Sequence, residues 1–119
     1  MDKKILIKPK TLIIKIKRYE QLGMYAHKVT DMIQYPEILS LNKYFCSDSI
    51  QDYRLYGVVN HIGNLNGEHY YSYVREYNHI TNVYGDNWYL CNDSVIRPMT
   101  GEQALRSSNA YMLFYYSNN

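Results

Sequence analysis

The chain has 119 residues, a net charge of +2, 46% hydrophobic residues and two cysteines. That is one domain's length, enough to bury about two-thirds of the unfolded surface, and equally the length of half of a larger domain. The mild charge argues against a nucleic-acid partner, two cysteines build no disulfide framework, and no apolar run approaches the roughly 18 residues of a membrane span.

In chain order, 3–8 and 12–19 read as strands divided by Pro9, and Ile14-Lys15-Ile16-Lys17 alternates as a strand with one solvated face does. Residues 21–24 read as a turn and 27–33 as a short strand. Pro36 pushes Tyr35 out of the helical region, so 35–41 is extended or a short turn. Residues 46–52 are polar and read as loop. The run 53–60 is the clearest strand, and 69–76 pairs with it as a long hairpin. Residues 87–90 add a strand, 101–106 allow a helical turn or two capped by Thr100, and 110–116 close the chain as a strand. These elements make one mainly antiparallel α+β unit without repeats or an internal linker.

The 15 tyrosines against two phenylalanines suit strands and cleft rims, where a ring is buried and its hydroxyl stays wet. Among the chemistry-bearing residues, His69 opens a strand after a Gly/Asn loop, so its ring can reach a cleft while the strand holds it. Asn92 and Asp93 end another strand with polar side chains able to orient that ring. Thiol catalysis needs a thiolate, an imidazole to share its proton, and a group fixing the imidazole. The competing reading of His69 is a satisfied histidine at a hairpin end. His61 reads as structural or cleft-lining, and His27 and His79 as surface residues. Cys91 points opposite to Asn92 and suits a small buried role. Cys46 lacks the basic neighbours that activate a thiol. The four histidines show no metal-ligand spacing, and Tyr71 and Tyr73 read as sheet packing, facing away from Tyr70.

The order of Leu12-Ile13-Ile14-Lys15-Ile16-Lys17-Arg18-Tyr19, Tyr35-Pro36-Glu37-Ile38-Leu39-Ser40-Leu41, Tyr56-Gly57-Val58-Val59-Asn60-His61, Gly67-Glu68-His69-Tyr70, Trp88-Tyr89-Leu90-Cys91-Asn92-Asp93 and Ala110-Tyr111-Met112-Leu113-Phe114-Tyr115 resembles the C-terminal half of the ubiquitin-specific proteases. These are papain-like cysteine deubiquitinases. The resemblance implies that residues 1–119 are the palm of such a catalytic domain, with the thumb, the fingers and the cysteine box absent. It implies a role as general base or thiolate partner for His69, an orienting role for Asn92, and an assisting one for Asp93. It also implies that Gly63 and Gly67 bound a loop closing over the ubiquitin tail, that Tyr70 lines the channel for that tail, and that His61 forms the loop's shoulder. Glu68 departs from the glycine that commonly precedes the histidine and would crowd that channel.

From this resemblance the expected function is that of a thiol-dependent deubiquitinase-like domain, inactive as this chain because it lacks the nucleophile. The alternatives are a non-catalytic ubiquitin-binding scaffold or a gene fragment. Expected partners are ubiquitin or a ubiquitinated protein, and a second chain that could supply the thumb half. No cofactor, metal, nucleic acid or membrane partner is expected, and the expected location is intracellular, cytoplasmic or nuclear.

Overall fold

A computed structural model describes residues 9–16, 19–22, 25–28, 33–40, 52–64 and 67–117. The expected strand at 3–8, Cys46 and most of the expected loop at 46–52 lie outside them. One antiparallel sheet carries the molecule. Its strands are β1 (Thr11–Lys15), β5 (Ile38–Ser40), β6 (Asp52–Asn64), β7 (Gly67–Asn78), β8 (Val83–Asn92), β9 (Val95–Met99) and β11 (Ala110–Ser117). Their spatial order is β1-β11-β6-β7-β8-β9, with β5 pairing the start of β6. Two small ladders complete the strands: β2 (Tyr19–Leu22) with β3 (Tyr25–Lys28), and β4 (Ile33–Gln34) with β10 (Arg106–Ser107).

Several boundaries differ from the sequence reading. The strand expected over 12–19 is described as β1 only to Lys15. Gln21 and Leu22, expected in a turn, belong to β2, and β3 ends at Lys28. The strand at 87–90 runs from Val83 to Asn92, because Tyr84 continues the pairing with Tyr77 beyond a bulge between Arg75 and Tyr77. β9 was not anticipated. It is an edge strand with almost no buried face, so its residues lack alternation, and it contains Pro98, which an edge tolerates.

The sheet's two faces differ. One carries the core: Tyr53, Leu55, Val58, Trp88, Leu113 and Tyr115 are buried there with Ala104 of the short helix α1 (Gly101–Ala104). So short a helix needs its ends satisfied. Thr100 accepts a hydrogen bond from the Gln103 backbone, the Gln103 side chain accepts one from the Thr100 backbone, and Tyr35 donates its hydroxyl to the Ala104 carbonyl. Tyr115 likewise donates to the Pro36 carbonyl at 2.7 Å, and burial pushes its phenol up to about 12.

Across β6, β7 and β8 the sheet is stapled by Arg75, whose side chain is 1% exposed. It donates to the Leu55 carbonyl (2.9 Å), the Gly85 carbonyl (3.1 Å) and Glu37 Oε1 (2.9 Å), and its guanidinium lies 4.7 Å from the Trp88 ring centre. Glu37 also meets Arg54 at 3.5 Å, and Arg54 reaches Asp86 at 2.8 Å.

Candidate active site

The site lies where the β6–β7 and β8–β9 hairpins end side by side. The register sets Ile62 against His69 and Asn64 against Gly67, so His69 stands two pairs from the hairpin tip. On β8, Asn92 is the last strand residue and pairs with Val95, leaving Asp93 and Ser94 as the turn. Asp93 takes φ 54°, the left-handed region that a short polar residue enters more readily than most. Asp93 therefore has a local backbone role, turning the chain at the point that leaves Asn92 facing β7.

The two candidate residues meet. His69 Nε2 and Asn92 Oδ1 are 2.7 Å apart. An amide oxygen only accepts, so Nε2 is the donor in this contact, and in the neutral ring Nδ1 keeps its lone pair. The ring is steadied from a second direction. Tyr71 lies nearly parallel to it, 19° between planes with centres 6.3 Å apart, and Tyr71 in turn touches Tyr73 edge to face.

Behind Tyr71 runs a polar chain that sequence reasoning missed. Asn109 Nδ2 donates to the Tyr71 hydroxyl (3.0 Å) and the Asn109 backbone N–H donates to Ser107 Oγ (3.1 Å). Ser107 donates to Oδ1 of the fully buried Asn60 (2.6 Å), and the His61 backbone N–H donates to the Asn109 carbonyl (2.9 Å). Its members are scattered along the chain and carry no motif. The one hint was an asparagine, Asn60, directly after the apolar Gly57-Val58-Val59 stretch of its strand.

Of the remaining candidates, Tyr70, His61 and Gly63 fall on the opposite face, whereas Gly67 pairs with Asn64 at the hairpin tip. Tyr70 pairs with His61 and Glu68 with Gly63, and side chains alternate along a strand, so all four positions turn away from His69. Tyr70 is 51% exposed, and its ring sits 4.8 Å from that of the buried His61 and 6.3 Å from Tyr111. Lys15 lies over Tyr111, whose hydroxyl raises the ammonium's pKa by hydrogen bonding. Glu68 Oε1 is 3.7 Å from His61 Nε2. Gly63 is required by close approach, since a Cβ there would fall 2.7 Å from His61 Cε1, whereas a Cβ at Gly67 would meet open space. Cys91 is half-buried and its strand position turns it to the face opposite Asn92. No group of three potential metal ligands occurs among the described residues. No described helix is long and apolar enough to cross a membrane.

A mainly antiparallel sheet that ends in a histidine held by an asparagine amide is the palm architecture of a papain-like cysteine peptidase. The family model for ubiquitin carboxyl-terminal hydrolase matches residues 2–115, and the chain belongs to that family, in its C-terminal half. It is 36% identical over 110 residues to ubiquitin carboxyl-terminal hydrolase 2 of Gallus gallus, covering 90% of this chain and 29% of that protein. It is 32% identical over 114 residues to ubiquitin carboxyl-terminal hydrolase nonstop of Drosophila melanogaster, covering 92% of this chain and 21% of that one. Among solved structures, the SAGA Ubp8/Sgf11/Sus1/Sgf73 DUB module bound to ubiquitin aldehyde matches with a TM-score of 0.81 and 27% identity, over 98% of this chain and 26% of that one. The chain thus spans less than a third of the length of these relatives.

Proposed function

We propose that this chain supplies the base and its orienting group to a thiol-dependent hydrolysis of the bond after the C-terminal glycine of ubiquitin. The observation that carries this reading is the 2.7 Å contact between His69 Nε2 and Asn92 Oδ1, which leaves Nδ1 as the proton acceptor. In the reaction, Nδ1 takes the proton of a thiol as the sulfur attacks the glycyl carbonyl. The resulting imidazolium returns it to the leaving amine, and a thioester remains for water to hydrolyse. Asn92 keeps the ring in one tautomer throughout, while Asp93 shapes the turn beside it. Tyr70, with His61 and Gly63 beside it, forms the wall along which the ubiquitin tail lies, and Gly67 bounds the hairpin loop that closes over that tail.

The thiol comes from outside these 119 residues: Cys91 faces away from His69, and Cys46 lies in no activating sequence context. The chain alone is therefore inactive and binds ubiquitin through its tail. Titrating isotope-labelled ubiquitin with the chain should shift tail resonances, and Tyr70→Ala should abolish those shifts. Absence of shifts with the wild-type chain in large excess would refute the reading. Turnover of a fluorogenic ubiquitin amide by the chain alone, abolished by His69→Ala, would overturn the external-thiol assignment.

One observation favours a second, non-catalytic reading. Glu68 stands 63% exposed on the tail-facing side, where a bulky anion hinders close passage of a glycine pair. A scaffold that binds ubiquitin without cleaving it would tolerate this. The readings separate if a thiol-bearing segment is supplied as a second chain: restored turnover supports the first, and unchanged binding without turnover supports the second.

A further inference from the structure

On the face that carries His69, two cavities run into each other. One, of about 420 Å³, is floored by Tyr71, Tyr73, Leu90 and Met99 and rimmed by Arg97 and Arg106. The other, of about 430 Å³, shares Leu90 and Arg97 with it and extends to Asn92. The register explains the continuity: Tyr73, Leu90 and Arg97 lie in line across β7, β8 and β9 and so share one face. A single groove therefore leads from the amide that orients the histidine toward α1. Its floor includes Tyr71, the ring stacked on His69.

The groove's charge is one-sided. Arg97 and Arg106 are both exposed and have no ion-pair partner among the described residues, whereas Arg54 and Arg75 are each held by carboxylates. Asp93, at the catalytic end, is the sole carboxylate lining either cavity among the described residues. Guanidinium groups are suited to planar, two-point recognition of carboxylates. The mixed aliphatic and aromatic floor suits a leucine or phenylalanine anchor better than a stack of bases.

Position gives the occupant its role. Tyr70, Glu68 and His61 turn to one face of β7, and Tyr71 and Tyr73 turn to the other, with His69 at the end. If the ubiquitin tail lies along Tyr70, the protein it is cleaved from emerges on the groove side. We propose that this groove binds an acidic, apolar-anchored segment of the protein that carries ubiquitin. Its role as a leaving-group subsite rests on the proposed function; its capacity to bind such a segment does not.

The test is a fluorescence-anisotropy titration of the chain with a labelled peptide carrying several glutamates around one phenylalanine and one leucine. The controls are the same peptide with lysines for glutamates, one with alanines for the two anchors, and a short single-stranded oligonucleotide. The first peptide should bind, the controls should not, and Arg97→Glu/Arg106→Glu should weaken it by about tenfold or more. Both arginines are exposed, so circular dichroism should show the variant folded. Equal binding of acidic and basic peptides, indifference to the charge reversal, or no binding would overturn the proposal. Oligonucleotide binding with the same loss would hand the groove to nucleic acid instead. Ubiquitin titrated in parallel should bind wild type and variant alike. If ubiquitin fails while the acidic peptide binds, the leaving-group role falls with the proposed function and the peptide groove stands. If ubiquitin binds and the peptide does not, the groove falls alone.

Discussion

Replacing Glu37 by alanine should destabilise the chain more than its 41% exposure suggests, because the cost falls on Arg75. That guanidinium is 1% exposed and spends two of its other donors on the Leu55 and Gly85 carbonyls. After Glu37→Ala the nearest carboxylate among the described residues is Asp86, 4.0 Å away and 92% exposed. Removing one partner of a buried pair costs about 3–5 kcal/mol. The partial solvation of Glu37 places this case near the lower end, about 3 kcal/mol, or a fall of roughly 10 °C in melting temperature for a domain of this size.

Arg75→Met, which keeps a flexible apolar stem over Trp88, should cost about 2–3 kcal/mol for the orphaned Leu55 carbonyl and its neighbours. The double variant carries no buried unpaired cation. It should therefore be no less stable than Glu37→Ala alone, giving a coupling of roughly 2–3 kcal/mol. Urea melts of the four proteins, followed by Trp88 fluorescence, measure this. If the single-variant costs simply add in the double variant, the ion pair is not the source of the effect, and the reasoning fails.

Two further outcomes test other parts of the structure. Gly63→Ala should cost about 1–3 kcal/mol, because the new methyl collides with the buried His61 ring; a variant as stable as wild type would show that His61 moves freely. The folded-state pKa of Tyr115 is raised by burial to about 12, so the unfolded chain ionises first as pH rises. Its stabilising contribution is complete below about pH 10 and is lost between about 10 and 12. Burial raises Tyr53, Tyr73 and Tyr84 in the same direction. A urea midpoint that holds steady to about pH 9 and then falls is expected; one unchanged at about pH 11.5 would contradict it.

What was legible in the sequence depended on local signals. The β6–β7 hairpin, β11 and the Thr100 cap follow from apolar alternation and capping chemistry, and the structure shows each of them. The meeting of His69 with Asn92 was expected from strand ends and from the family resemblance, and their side chains are in hydrogen-bond contact. β9 was illegible because an exposed edge imposes no pattern on Val95, Ile96 and Pro98. The Asn60–Ser107–Asn109–Tyr71 chain was illegible for another reason. Its partners are up to 47 positions apart, and only the folded register brings them together. Asp93 shows how one residue can be noticed for its carboxylate while its backbone plays a separate part.

The histidine–asparagine contact also bears on the order in which the molecule assembles. The two residues are 23 positions apart, and β6, β7, β8 and β9 follow one another as a meander of hairpins, each able to form on the microsecond scale. By contrast, β11 must cross back to lie between β6 and β1, pairing Tyr116 with Thr11 from opposite ends of the chain. Loop closure over that span is slow. The His69–Asn92 pair thus belongs to the part of the fold built from the most local pairings. Its geometry is inherited from neighbouring hairpins, so the contact can be set before the long-range pairing of β11 with β1 closes the sheet.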